Sequence, residues 1–164
     1  MPRFTFAAAI FTLLVVPAVR AEDPPAKALP PAAEKPALNE HEQAFKQMLD
    51  GATLIGHFTV DGKENGELSE ERYAIKSVDK INDDTWRFNV RIQYKTHDLT
   101  LPLPLKVLWA GDTAVVTLDK VAIPPLGTFN SRVLFHDNRY AGTWEHVGAA
   151  GGNLFGKIVR EGDK

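Results

Sequence analysis

Between Trp86 and Trp109 apolar and polar side chains alternate with a period of two, and nothing else in the chain constrains its fold as strongly. Trp86, Phe88, Val90, Ile92 and Tyr94 fall on one side of an extended strand, and Arg87, Asn89, Arg91, Gln93 and Lys95 fall on the other. Leu99, Leu101, Leu103, Leu105, Val107 and Trp109 repeat the pattern against Thr100, Pro102, Pro104 and Lys106. Successive strand side chains point to opposite faces of a sheet, so each run has one buried and one wet face. Thr96, His97 and Asp98 join the two as a hairpin connection. Pro102 and Pro104 cannot donate to a ladder. The strand that holds them is therefore expected to be the weakest seam of its sheet, with a bulge, an interrupted pairing or a free edge.

Weaker versions of the pattern run from Thr53 to Val60, Glu70 to Val78, Thr113 to Lys120, Gly127 to His136, Arg139 to His146 and Asn153 to Arg160. Asp61-Gly62, Asn82-Asp83-Asp84, Gly111-Asp112, Asp137-Asn138 and the stretch Gly148 to Gly152 separate them as turns. Before the first strand, Asn39 with Glu42 fits a capping arrangement, and Phe45, Met48 and Leu49 share one face of a short helix that ends at Gly51. The fold class that follows is all-β: an antiparallel up-and-down barrel of about eight strands, preceded by one short N-terminal helix. One register can be derived. If Asp137-Asn138 is a two-residue turn, Phe135 faces Tyr140, Val133 faces Gly142, Ser131 faces Trp144 and Phe129 faces His146, all eight on the inner side.

Three segments are expected: 1–21 as a signal peptide, 22–38 as a linker and 39–164 as the barrel with its helix. Arg3, the apolar run from Phe4 to Val16 and the stretch Val19-Arg20-Ala21 make up a secretory signal. That run of about 13 residues is too short for a hydrocarbon core about 30 Å thick, so no integral membrane span is expected after cleavage. The prolines at 24, 25, 30, 31 and 36 make the following stretch an extended, semi-rigid spacer or a Pro-rich ligand for a partner domain. The chain has 164 residues, no cysteine and a formal charge of −2. Loss of Arg3 and Arg20 takes that charge to −4, which an anionic surface repels weakly. Nucleic-acid binding, thiolate chemistry and Cys-based zinc sites are excluded. The expected location is periplasmic or extracellular.

At Ala141-Gly142-Thr143-Trp144 and Gly151-Gly152-Asn153-Leu154-Phe155-Gly156 the chain resembles the small calycin barrels, the lipocalin-like and avidin-like families, in which a Gly-x-Trp strand packs its indole across the barrel floor. Here the motif lies in the second-last strand. The body from Asp50 to Arg160 is also similar to exported bacterial proteins with a comparable Tyr-Ala-Gly-Thr-Trp segment. The calycin resemblance implies a barrel able to bind a small apolar molecule.

Enzymatic motifs are largely absent. Ser69, Ser77 and Ser131 lie in no nucleophile elbow. His41-Glu42 begins like a zinc-protease motif, but Phe45 stands where the second His is needed. Asp61 to Gly66 imitates half a calcium loop, with Lys63 in place of an oxygen ligand and Arg72 in place of the closing Glu. No metal, cofactor or catalytic residue is assigned. Of the histidines in the body, His146 alone is given inward parity, and the patterns name no second titratable group beside it.

Trp86, Tyr94, Trp109, Phe129, Tyr140, Trp144 and His146 are thus the candidate interior residues, either filling a core or lining a cavity for one small ligand. The leading expectation is an exported, non-enzymatic barrel that binds a small apolar or amphipathic molecule or an envelope component. The second is a structural or protein-interaction module of the envelope, with the outward apolar residues Leu108, Phe155 and Val159 as its patch. A third, an enzyme, would need a cleft joining His146 to a carboxylate such as Asp119 or Glu145.

Overall fold

Asn39 starts the helix in the manner its spacing to Glu42 implies. Its side chain accepts from the Glu42 N–H at 3.0 Å, and Glu42 Oε2 accepts from the Asn39 N–H at 3.0 Å. The computed structural model describes residues 36–63, 68–94 and 97–160, without the side chains of Tyr94 and His97. Helix α1 (Glu40–Leu49) is followed by β1 (Thr53–Phe58), β2 (Ser69–Lys80), β3 (Thr85–Tyr94), β4 (His97–Ala110), β5 (Thr113–Ile123), β6 (Gly127–His136), β7 (Arg139–His146) and β8 (Ala150–Val159). Each strand pairs antiparallel with the next and β1 pairs with β8, so the sheet closes into an eight-stranded up-and-down barrel. The signal peptide, the linker up to residue 35 and the second half of the calcium-like loop lie outside the described residues. Among the described residues no helix is long and apolar enough to cross a membrane.

The β6–β7 hairpin has the expected register throughout, from His136↔Arg139 to Phe129↔His146. Asp137 and Asn138 both take positive φ, 47° and 55°, which is the twist a two-residue turn needs between right-twisted strands. Several boundaries differ from expectation: β4 already begins at His97, inside the expected connection, β2 and β5 run on to Lys80 and Ile123, and β1 ends at Phe58. The glycine run at 151–152 belongs to β8 and is not part of the turn before it, because Gly152 lies against the backbone beyond β1: a Cβ there would come 2.1 Å from the Thr59 carbonyl oxygen.

Helix α1 closes one end of the barrel. Phe45, 2% exposed, makes edge-on contacts with Trp86, Phe88, Trp109 and Phe135 at centroid distances of 5.5 to 6.2 Å. Leu49 is fully buried beside it. Polar contacts fix the helix to β2. Lys80 Nζ meets Glu42 Oε1 at 2.6 Å, Lys46 Nζ donates to the Val78 carbonyl, and Asp50 Oδ1 accepts from the Val78 N–H. Glu42 therefore serves both as capping carboxylate and as half of a buried ion pair.

The proline strand is open on one side. β4 pairs with β3 without a break from His97 to Lys106, but its pairing with β5 covers only Lys106 to Ala110. The Val107 N–H donates to the Asp84 carbonyl on the β3 side. Amides alternate in direction along a strand, so the nitrogens of Pro102 and Pro104 face away from β3, toward the side that lacks a partner. β5 diverges at the same level, where its register with β6 shifts between Leu118 and Val121 and Lys120 takes φ 51°. The missing donors thus sit where the barrel wall parts.

Candidate functional site

Inward side chains change character along the barrel axis. Near α1 they are sealed, as at Val78, Trp86, Val107 and Ala114, each 1% exposed or less. Toward the other end Leu101, Leu118, Val121, Leu126, Phe129 and Leu154 are partly buried on the same core, beside the buried Phe58 and Ile123, while at the helix end Met48 and Trp109 are partly buried as well. Helix α1 thus covers one end of the barrel, and a run of partly buried apolar side chains lies at the other, here called the mouth.

Strands β6 and β7 carry the aromatic part of that mouth. The Phe129 and His146 rings stack at 4.8 Å with 21° between their planes, as their cross-strand pairing dictates. Trp144, half-buried, meets Phe58 edge-on at 5.6 Å, and its indole N–H donates to the Thr59 carbonyl at 3.1 Å. That bond supplies the partner its inward position requires. Trp144 reaches Thr59 across Gly152, its direct partner on β8.

Tyr140 uses the same device one layer deeper. Gly156 is its partner on β8, and Gly56 lies opposite Gly156 on β1. With no side chain on either, the ring crosses both strands and its hydroxyl donates to Glu71 Oε1 on β2 at 2.8 Å. A Cβ on Gly56 would lie 2.4 Å from that hydroxyl, and one on Gly156 would lie 2.7 Å from the ring. The Tyr73 hydroxyl donates to the other oxygen, Glu71 Oε2, at 2.9 Å.

Glu71 is 6% exposed and two residues in from the open end of β2. Burial holds its pKa above the ordinary carboxylate value, against the two tyrosine bonds and the field of His57. Burial beside the same carboxylate pushes the Tyr140 phenol well above its usual range. Glu71 is the inward titratable group that the sequence patterns did not name. Its parity with Tyr73 and Ile75 was the available signal. The shift in register between Ile75 and Ser77 puts Val78 on the inner face in spite of its opposite parity, which breaks the alternation of β2 as read along the chain.

The candidate residues separate into groups. Phe129, Trp144 and His146 meet at the mouth, and Tyr140 lies beneath them with Glu71. Trp86 and Trp109 sit at the plugged end around Phe45. Trp86 is fully buried and its indole N–H has no hydrogen-bond partner among the described residues, whereas Trp109 is half-buried near His41. Tyr94 ends β3, and its side chain lies outside the description. Asp119, Glu145 and His146 line one open cleft at the mouth end together with Asn130, Arg132 and Trp144, and both carboxylates are engaged there by other partners: Glu145 accepts from Asn130 at 2.7 Å and Asp119 from Arg132 at 2.5 Å. Among the described residues no group of three or more His, Asp or Glu side chains could hold a metal ion.

Comparison with protein-family models, with curated proteins and with solved structures returned no match. The closed eight-stranded antiparallel barrel is consistent in fold with the lipocalin-like resemblance. Trp144, the tryptophan of the calycin-like motif, stands at the open mouth, away from the end that α1 closes.

Proposed function

We propose that this is an exported, non-enzymatic barrel that binds one small amphipathic molecule at its open end. The observation that carries the reading is the run of partly buried apolar side chains at the end of the closed barrel that α1 does not cover. Leu101, Val121, Phe129, Trp144 and Leu154 would cover the apolar part of the ligand. Glu71 supplies the polar contrast. Its two oxygens accept from Tyr140 and Tyr73, and a head group that also donates, an ammonium or a hydroxyl, would extend that network. Export rests on the N-terminal pattern of Arg3, Phe4 to Val16 and Ala21.

The test titrates the purified protein with octylamine, octanol and octanoate while following tryptophan fluorescence. Amine or alcohol should perturb the signal at lower concentration than the acid, and Glu71→Gln should reduce the preference for the amine. Extraction of the protein from its native host, followed by mass spectrometry, should find a bound donor-headed amphiphile. No response to any of the three, with an empty extract, would overturn the reading.

A further inference from the structure

The outer face of the barrel carries two adjacent cross-strand rows of opposite chemistry, independent of the mouth. Phe155 on β8, Ala141 on β7, Leu134 on β6, Val115 on β5 and Leu108 on β4 are direct partners in sequence of strands, which makes one unbroken apolar row. Phe155, Leu134 and Leu108 are 42%, 44% and 48% exposed. Two residues along each strand, about 7 Å away, runs a second row: Arg72 on β2, Ile55 on β1, Lys157 on β8 and Arg139 on β7. All four are exposed. Among the described residues none of the three cations forms an ion pair, as is true of Lys76 and Lys120, while Arg91, Lys106 and Arg132 are each paired with an aspartate.

We propose that this face docks the protein on an anionic lipid surface, with Phe155, Leu134 and Ile55 entering the headgroup boundary and Arg72, Lys157 and Arg139 lying over lipid phosphates. Charge complementarity decides the occupant. A second copy of the chain would bring the same cations to the contact, and the carboxylates beside them among the described residues are Glu70, opposite His57 at the end of the apolar row, and Asp137 in the turn before Arg139, which meets His136. The wall of a barrel is convex, and a fluid surface can deform around it where a rigid protein partner would need a concavity. The overall negative charge of the chain does not prevent this, because charges further off than a Debye length of about 8 Å are largely screened.

The experiment is co-sedimentation of the protein recovered after export, with all variants sharing its N-terminus, on vesicles of phosphatidylglycerol with phosphatidylethanolamine and on phosphatidylcholine vesicles. Binding to the anionic vesicles only, weakened by salt, is expected. The variant R72Q/K157Q/R139Q should lose on the order of 100-fold in affinity, at about 1 kcal/mol per cation. F155S/L134S should also bind more weakly, with the far-ultraviolet circular dichroism of both variants unchanged. Equal binding to both vesicle types, or binding that neither variant alters, would overturn the proposal. So would the absence of vesicle binding together with a dimer in sedimentation velocity that L134S abolishes, which would give the face to a second copy.

Discussion

The Tyr140 hydroxyl reaches Glu71 Oε1 across two intervening strands, at 2.8 Å, because both residues beneath its ring are glycine. One hydrogen bond thereby joins β7 to β2 through the interior. It fixes the position of a buried carboxylate, Glu71, near the mouth.

The pKa of Glu71 is raised above 4.5 in the folded state, so the fold binds this proton more tightly than the unfolded chain does. The associated stability is fully present below pH 4.5 and is lost as the pH rises through the folded value. Urea midpoints measured against pH should show this decline in the wild type and a flatter profile in Glu71→Gln. Tyr140→Phe leaves Oε1 without its donor and should cost about 1 to 3 kcal/mol, more at neutral pH than in acid.

Gly56→Ala should be far more damaging than a substitution at an exposed turn glycine. Its Cβ would fall 2.2 Å from the Phe155 carbonyl oxygen, which is backbone and cannot turn aside, and the cost should reach or exceed about 3 kcal/mol. Gly62→Ala meets no atom within 4 Å and has only its φ of 79° against it, which predicts about 1 to 2 kcal/mol. Thermal midpoints of the two variants check the order.

Two tryptophans separate packing from hydrogen bonding. Trp144→Phe removes the donor to the Thr59 carbonyl and should cost about 1 kcal/mol beyond its loss of contact. Trp86→Phe deletes a buried N–H that has no hydrogen-bond partner among the described residues, so the only loss there is volume. Denaturant titrations of both, each compared with the corresponding Leu variant, distinguish the two effects.

The seam along β4 predicts an alternating pattern of amide exchange. Leu101, Leu103 and Leu105 point their N–H groups toward β3 and should be protected. Thr100 has the opposite parity and faces the unpaired side, so its amide should exchange much faster. Equal protection of Thr100 and Leu101 in hydrogen-exchange spectra would show that the wall is closed there.

Local periodicity carried most of the architecture. Strand number, the inner face of β3 and β4, the capped start of α1 and the entire β6–β7 register were legible in the sequence, because each depends on neighbours a few residues apart. The candidate site was legible in part. Phe129, Trp144 and His146 share a hairpin whose turn fixes their parity, but Glu71 lies in a strand whose bulge at Ile75 to Ser77 interrupts the alternation.

What remained was settled by closure of the sheet. Which end α1 plugs, the glycine pair that lets Tyr140 reach Glu71, and the alignment of Phe155 with Leu108 over five strands all depend on how distant strands are staggered. Side-chain alternation along a strand says which face a residue takes, whereas its height relative to another strand is fixed only when β1 meets β8.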